Sequence, residues 1–252
     1  MLLYYNRLGD YMNLQALKNG LLDDYQYRIE LHAHTSPASG CSEIAPKEMV
    51  NIYKALGYDG VVITNHFLYK CDRREKERYI SDYLRDFEET RKFGEEQGIQ
   101  IYLGAEIRFT ECENDYLIFG LNEQMLWEIY DLLPKGIAFF RENYEMPQSV
   151  FVQAHPMRNG MERVDAKLLD GVEVFNMHPN HNSRVALAAL YAKNGNVPII
   201  TGGSDFHHKN QNHEGVAALR SAVLPKDSFE LAKILKGNDY LLEVGRNNII
   251  IP

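Results

Sequence analysis

The sequence has few cysteines and no long apolar stretch. Cys41, Cys71 and Cys112 are an odd number, widely spaced and without a CxxC pair. This argues against a disulfide framework and is typical of a reducing, cytoplasmic setting. No window has the apolar length that a membrane span needs, and residues 1–24 lack the uninterrupted apolar core of a signal peptide. We therefore expect a soluble cytoplasmic protein without a membrane partner.

Basic residues are also in deficit, with 27 Lys and Arg against 35 Asp and Glu and a net charge of -8. Such a chain cannot neutralise phosphates over a long footprint, so we do not expect duplex nucleic acid as a partner. A small anionic substrate remains compatible, because bound divalent cations can reverse the local charge of a site. The oligomeric state stays open.

Short apolar runs alternate with amphipathic helical patterns along the chain. This alternation predicts a parallel sheet covered by helices and favours a closed or nearly closed barrel. A hairpin is predicted for Gly104–Phe109 and Asp115–Gly120, and residues 1–27 are predicted to be an N-terminal extension. The predicted strands are Arg28–Ala33, Gly60–Thr64, Gln100–Ala105, Val150–Ala154, Gly171–Phe175, Val197–Thr201 and Tyr240–Val244. The predicted helices are Pro46–Leu56, Arg73–Gln97, Glu123–Leu133, His181–Lys193 and Lys226–Leu235.

Histidines and carboxylates, the residue types that bind metal ions, follow the ends of these strands. The C-terminal ends of barrel strands converge on one face, and the period of two in His-x-His points both rings the same way. Imidazoles with carboxylates suit Zn, Mn or Fe, and more than four ligands exceed a single tetrahedral zinc. The sequence therefore predicts a site for several metal ions. Its residues are His32 and His34 (HAHTS), His66 (TNH), Glu106 (GAE), His155 (AHP), and Asp205 and His207 (SDFH).

The ordered motifs HxH, T-[DN]-H, GxE, AHP and SDxH resemble the polymerase-and-histidinol-phosphatase (PHP) domain across residues 28–252. The resemblance implies a distorted (βα)7 TIM-like barrel, two or three divalent metal ions (Zn, Mn or Fe) and phosphoester hydrolysis. It assigns the metal ligands His32, His34, His66, Glu106, His155, Asp205 and His207.

The chain departs from this family at three positions. Asn65 stands where many members have Asp, and we expect it to lie behind the ligands. Two further ligand positions of the family have no matching histidine, and Cys41 or Asp115 could replace them. Whether a third ion binds therefore stays open.

The segment VEVFNMHPNHNSR is predicted to line the substrate pocket through Asn176, His181 and Arg184. The alternative is a polar loop that caps the next helix. Asp205 or His207 is predicted to move a proton. One of Arg108, Arg158 and Arg184 is predicted to bind phosphate, whereas His178, His208 and His213 match no motif and are predicted to be surface residues.

The sequence thus predicts an enzyme that hydrolyses a small phosphorylated substrate with a metal-activated water. The alternative enzyme is a metal-dependent amidohydrolase or deaminase. The non-enzymatic alternative is a PHP-like domain that binds metal ions without catalysing a reaction.

Overall fold

A computed structural model describes residues 13–70, 73–211 and 217–252 of the chain. The strands are β1 Tyr27–Ala33, β2 Gly60–Ile63, β3 His66–Leu68, β4 Gln100–Arg108, β5 Asp115–Phe119, β6 Val150–Gln153, β7 Gly171–Asn176, β8 Ile199–Gly203, β9 Ala217–Ser221, β10 Leu241–Val244 and β11 Ile249–Ile250. The helices are α1 Leu14–Asp24, α2 Pro46–Ala55, α3 Arg73–Gln97, α4 Glu123–Leu132, α5 Ile137–Asn143, α6 Val185–Asn194 and α7 Ser228–Gly237.

The sheet curls into a distorted TIM-like barrel, as the sequence predicts. Its strand order is β11-β10-β9-β1-β2-β4-β5-β6-β7-β8, with β3 paired to β4. Strands β1, β2 and β4 are parallel, β5 is antiparallel to both of its neighbours, and β6 to β8 are parallel again. Beyond β8 the chain returns to β1, where Phe206 bridges Ala33 and accepts a hydrogen bond from the backbone N–H of His34 at 3.0 Å.

The predicted hairpin is confirmed, but it belongs to the barrel wall. Strands β4 and β5 pair from Gly104 with Phe119 to Arg108 with Asp115, and β5 then pairs with β6. The predicted strand Tyr240–Val244 is confirmed as β10, but β9 and β11 were not predicted, and these three strands extend β1 in antiparallel and not in parallel fashion. The run Ala217–Ser221 has few of the β-branched and aromatic residues that mark a strand.

Two helix predictions need correction. Helix α6 starts at Val185 and not at His181, because Arg184 has a left-handed φ of 46° that cannot continue a helix. Helix α5 was not predicted. At the N-terminus, α1 buries none of its residues, and the boundary of the N-terminal extension at residue 27 stays a prediction. Within the described residues, no helix is both long and apolar enough to cross a membrane.

Two apolar clusters lie on opposite faces of the strands. One joins alternate strand residues such as Leu31, Val62 and Tyr102 with residues of α7. The larger cluster packs α2 to α6 against the other face, where Val61, Ile63 and Leu103 lie. A parallel sheet buried on both faces explains why these strands are apolar throughout.

A bulge in β1 places the His-x-His motif. Glu30 pairs with Val61 and Ala33 with Ile63, so β1 contains one extra residue between these points. An extra residue reverses the alternation of side chains. Glu30 therefore points to Tyr53 of α2, whereas His32 follows Leu31 to the face of Tyr102 and Glu106.

The close approach of β2 to β4 generates a prediction for Gly104. A Cβ atom there would lie 2.6 Å from Val62 Cγ1 and 3.3 Å from the Ile118 carbonyl oxygen. Because these neighbours are buried, Gly104→Ala should destabilise the fold by roughly 1–3 kcal/mol, the usual cost of overpacking. Urea unfolding measures this cost. Gly237→Ala is the control, since its Cβ would meet no atom within 4 Å, and equal midpoints for the two variants would contradict the packing.

Candidate metal centre

The structure brings all seven predicted ligands together at the C-terminal end of the barrel. Six of them are buried, and the His66 side chain is 23% exposed. Five of them, His66, Glu106, His155, Asp205 and His207, line a cavity of about 330 Å³ whose wall also includes Cys41, Arg108, Asp115, Arg158, His178 and His181. The rings of His32 and His34 do not line it but contact the carboxylates of Glu106 and Asp205. Side chains that lie up to 175 residues apart in sequence, from His32 to His207, thus belong to one cluster.

The carboxylate of Glu106 lies at the centre of this cluster. Its Oε1 atom is 3.0 Å from His155 Nε2 and 3.4 Å from His32 Nε2. Its Oε2 atom is 2.8 Å from His66 Nδ1 and 3.4 Å from His34 Nε2. Each oxygen therefore faces two imidazoles, which is the arrangement expected of a carboxylate that bridges two cations.

Asp205 provides the second carboxylate. Its Oδ1 atom lies 3.5 Å from the Nε2 atoms of both His32 and His34, and 3.3 Å from His207 Nδ1. Its Oδ2 atom contacts the guanidinium of Arg158.

The electrostatics of the cluster keep both carboxyl groups ionised. Burial opposes ionisation of Glu106, but His66 and His32 hold its pKa well below the usual range. Burial likewise opposes ionisation of Asp205, but His32, His34 and Arg158 together outweigh it, so the pKa of Asp205 is also held well below its usual range.

The histidines divide into two groups. Burial and the neighbouring His207 lower the pKa of His34 well below its usual value, which keeps this ring neutral. Burial also disfavours the charged forms of His32 and His66, but Glu173 raises the pKa of His32 and Glu106 that of His66. A metal ion would have to displace protons from these two rings, so metal affinity should fall at low pH.

The donor set fits divalent cations. Glu106 Oε2 and His66 Nδ1 are buried and 2.8 Å apart, yet neither has a hydrogen-bond partner. Leaving such atoms unsatisfied costs about 1–3 kcal/mol each, and a cation between lone pairs would remove that cost. Four groups have ligand atoms within 4.8 Å of one another: His34, His66 and His207; His32, Glu106 and His155; His32, His34 and Asp205; and His66, Glu106 and Asp115.

Two of the predicted ligands have a strained backbone. His155 has a φ of 28° and Asp205 a φ of 52°, in the left-handed region that non-glycine residues rarely occupy. Each such residue costs on the order of 1–3 kcal/mol and persists only where its surroundings enforce it, commonly at functional sites. The strain is therefore a second indication that the positions of these side chains matter.

The three residues predicted to bind substrate differ in their position relative to the cavity. Asn176 is buried in the site, where its Nδ2 atom lies 3.0 Å from Glu173 and 3.3 Å from Asp205. His181 is exposed and lines the cavity. Arg184 does not line it, because its guanidinium contacts the carbonyl of Met157 and the side chain of Asn159. The alternative of a capping loop is not supported, since no side chain caps α6.

The prediction that His178 lies on the surface is wrong. This residue is 7% exposed and lines the cavity, and its ring centroid lies 4.4 Å from that of His181, with the two rings tilted by 50°. His208 is half-buried and lines the same cavity, whereas His213 lies outside the described residues. His178 matches no motif, but its place two residues after Asn176 and three residues before His181 was a usable signal.

Both residues considered as substitutes for missing family ligands lie at the cavity. Burial would raise the pKa of the Cys41 thiol, yet hydrogen bonds with His207 and His66 lower it to about 6. Asp115 is held by Arg108 through two contacts of 2.7 and 2.8 Å.

Asn65, the departure from the family pattern, lies behind the ligands. Its Oδ1 atom accepts the N–H of Thr35 at 2.7 Å, and its Nδ2 atom donates to Thr35 Oγ1 at 2.8 Å and to Asp86 Oδ2 at 2.9 Å. Asp86 belongs to α3 and is itself buried. An amide suits position 65 because the buried carboxylate of Asp86 needs a hydrogen-bond donor.

No family model matches the chain, and no curated protein matches its sequence. Solved structures do match. One is a two-domain protein from Bacteroides vulgatus containing a predicted PHP-like metal-dependent phosphoesterase, at 15% identity and a TM-score of 0.58. The match covers 87% of this chain and 65% of that protein, so the chain spans less than two thirds of its length.

Two further structures match less well. A candidate metal-dependent phosphoesterase from Bifidobacterium adolescentis has 17% identity and a TM-score of 0.49, over 82% of this chain and 95% of that one. An amidohydrolase from Chromobacterium violaceum, with bound sulfate and no metal, has 16% identity and a TM-score of 0.48, over 72% and 88%. The Bacteroides structure supports the resemblance to the PHP domain at the level of the fold.

The contact between Asn65 and Asp86 generates a prediction. Asn65→Asp should place two buried carboxylates together and destabilise the fold by roughly 1–3 kcal/mol, without changing the number of bound metal ions. Exchanging the pair, with Asn65→Asp and Asp86→Asn together, should restore much of the stability. Thermal unfolding and elemental analysis measure the two effects. Loss of a metal ion in the single variant would show that residue 65 contacts the ion directly.

Proposed function

We propose that this chain is a metal-dependent phosphoesterase that hydrolyses a small phosphomonoester. The observation that carries the proposal is the buried Glu106 carboxylate. Both of its oxygens face two imidazoles, and Oε2 has no hydrogen-bond donor. Such a carboxylate in a cavity lined by further histidines suits catalysis that needs more than one cation.

The seven residues His32, His34, His66, Glu106, His155, Asp205 and His207 would hold two or three ions of Zn, Mn or Fe. Bound divalent ions supply charge that polarises phosphoryl oxygens and lowers the pKa of a water molecule. A third ion would have one of two ligand sets. The first is His66, His207 and Cys41, and the second is His66, Glu106 and Asp115.

Arg158 is the arginine best placed to bind phosphate. Its side chain is 15% exposed at the cavity wall, and its contacts with Asn176 and Asp205 are made through Nη2, which leaves other N–H groups of the guanidinium for a ligand. Arg108 also lines the cavity, but Asp115 and Glu113 occupy its guanidinium. Because guanidinium pairs with phosphate through two parallel hydrogen bonds, a cation with a free N–H is the better candidate.

His207 is the better placed of the two predicted proton carriers. Its Nδ1 atom lies 2.9 Å from the backbone carbonyl of Asp205 and donates to it, so Nε2, the nitrogen left for the Cys41 thiol, would take up the proton in a two-ion site in which His207 is not a metal ligand. Asp205, with its low pKa, is suited to remain a carboxylate. We therefore assign the proton transfer to His207 and a metal-holding role to Asp205.

The size of the cavity favours a small substrate. A volume of about 330 Å³ lies at the lower end of the range for small-molecule sites, roughly 300–1,000 Å³. His181 would face the part of the substrate beyond the phosphate, and the buried Asn176 would hold Arg158 in place from behind the cavity wall.

Metal content and hydrolysis test the proposal together. Protein reconstituted with Zn, Mn or Fe should bind more than one equivalent by elemental analysis and should hydrolyse members of a phosphomonoester panel. A chelator should abolish turnover, because the activity depends on the ions. A second panel of amide and deaminase substrates should be assayed in parallel, because it tests the alternative enzyme class. Binding of one equivalent or fewer, or turnover of amides alone, would contradict the proposal.

Removing the charge of Glu106 is the sharpest test by substitution. Glu106→Gln leaves neighbouring cations with less negative charge between them, and divalent ions repel each other strongly at short range. The variant should lose at least one ion, and its activity should fall by more than about 100-fold, the upper end of what loss of a supporting residue costs.

Glu111→Gln is the matched control for that variant. Glu111 lies outside the cavity and accepts the Ile137 N–H at 2.9 Å, a bond that an amide oxygen can also accept. This control should keep its ions and its activity. Full metal content and turnover in Glu106→Gln would overturn the assignment of the central carboxylate.

A further inference from the structure

We propose that Glu173 is a positioning residue that orients two metal ligands, the ring of His32 and the backbone of His155. The inference rests on the metal site of the proposed function, but it concerns how the chain holds its ligands and not which reaction follows. Glu173 lies in β7, is 1% exposed and is not one of the seven predicted ligands.

Three donors converge on the Glu173 carboxylate. His32 Nδ1 lies 2.8 Å from Oε1. The backbone N–H of His155 donates to Oε2 at 2.9 Å, and Asn176 Nδ2 donates to the same atom at 3.0 Å. A carboxylate can accept all three bonds, because it has only acceptor sites.

The bond to His32 decides which ring nitrogen carries a proton. With Nδ1–H held by the carboxylate, the lone pair of a metal-binding ring is on Nε2. That atom lies 3.4 Å from Glu106 Oε1 and 3.5 Å from Asp205 Oδ1, in the centre of the cluster. Glu173 thus presents the correct nitrogen of His32 to the ions.

The bond to His155 supports its strained backbone. The residue has a φ of 28°, and its N–H is fixed by Glu173 just where the chain leaves β6. In this conformation His155 Nε2 reaches within 3.0 Å of Glu106 Oε1. One carboxylate therefore sets ligands that arrive from two separate strands, and Asn176 links it to a third ligand by a 3.3 Å contact with Asp205.

The packing around the pair leaves little freedom. A Cβ atom at Gly203 would lie 2.3 Å from His32 Cβ and 2.9 Å from Glu173 Oε1. Only glycine fits beside the two side chains, so β8 holds the pair against the neighbouring strand.

The test uses Glu173→Gln in the full chain. A glutamine amide carries a donor, so it cannot accept from all three partners, and satisfying it favours the wrong tautomer of His32. We expect Zn²⁺ affinity to fall about 10- to 100-fold, as for other residues that support metal ligands. Competition with a chromophoric chelator measures this affinity without any substrate.

Glu30→Gln is the matched control. Glu30 is equally buried and lies in β1, where it accepts the backbone N–H groups of His32 and Ser204 at 2.9 Å each and the Tyr53 hydroxyl at 3.1 Å. It makes none of the hydrogen bonds or ion pairs of the His32 ring. Both variants should lower the unfolding temperature, but only Glu173→Gln should weaken Zn²⁺ binding strongly.

Nitrogen-15 NMR of the Zn²⁺-loaded wild type provides a second measurement that needs no variant to fold. The His32 ring should carry its proton on Nδ1. A proton on Nε2, or equal Zn²⁺ affinities in the two variants, would overturn the role of Glu173, as would a wild type that binds no metal. A wild type that binds Zn²⁺ with the expected tautomer but hydrolyses no phosphoester would refute the proposed function and leave this role intact.

Discussion

The buried charge of Glu106 is the constraint on which the rest of the site depends. A carboxylate without exposure to water is tolerated only when positive or proton-donating groups surround it. Here His32, His34, His66 and His155 meet its two oxygens. The barrel supplies this meeting point because its strands converge at one end, and the bulge in β1 and the glycine at position 104 allow the close approach.

Around this centre, a second set of polar residues holds the seven predicted ligands in place. Glu173 and Asn176 hold His155 and Asp205, which follow β6 and β8, whereas Asn65 and Asp86 hold the loop after β1. The strained backbones of His155 and Asp205 fit the same description, since a site that must hold ligands at fixed positions can tolerate local strain that the surrounding fold offsets. Much of the buried polar structure of the protein therefore serves the orientation of the seven predicted ligands.

The sequence was a good guide to the barrel and to the residues that meet in its mouth. Strand-end motifs such as HAHTS and SDFH could be located because apolar runs precede them and because barrel strands converge. The supporting residues could not be assigned in the same way. Glu173 lies in the segment VEVFNMHPNHNSR, but only Asn176, His181 and Arg184 were singled out there, because the partners of Glu173, His32 and His155, become visible only through tertiary contacts. Strands β3 and β11 are too short for a periodic pattern, and the burial of His178 depends on how the loop after β7 folds back over the cavity.

Anomalous X-ray scattering from crystals soaked with Zn²⁺ or Mn²⁺ shows whether this cluster binds metal ions bridged by Glu106. We expect at least two anomalous peaks at the site, each about 2.0–2.2 Å from a Glu106 oxygen or a histidine nitrogen, as such ligands bind zinc. One oxygen of Glu106 should lie beside each of two peaks, or one oxygen between them. A site without anomalous density, or a single peak that does not touch Glu106, would refute a metal centre bridged by this carboxylate.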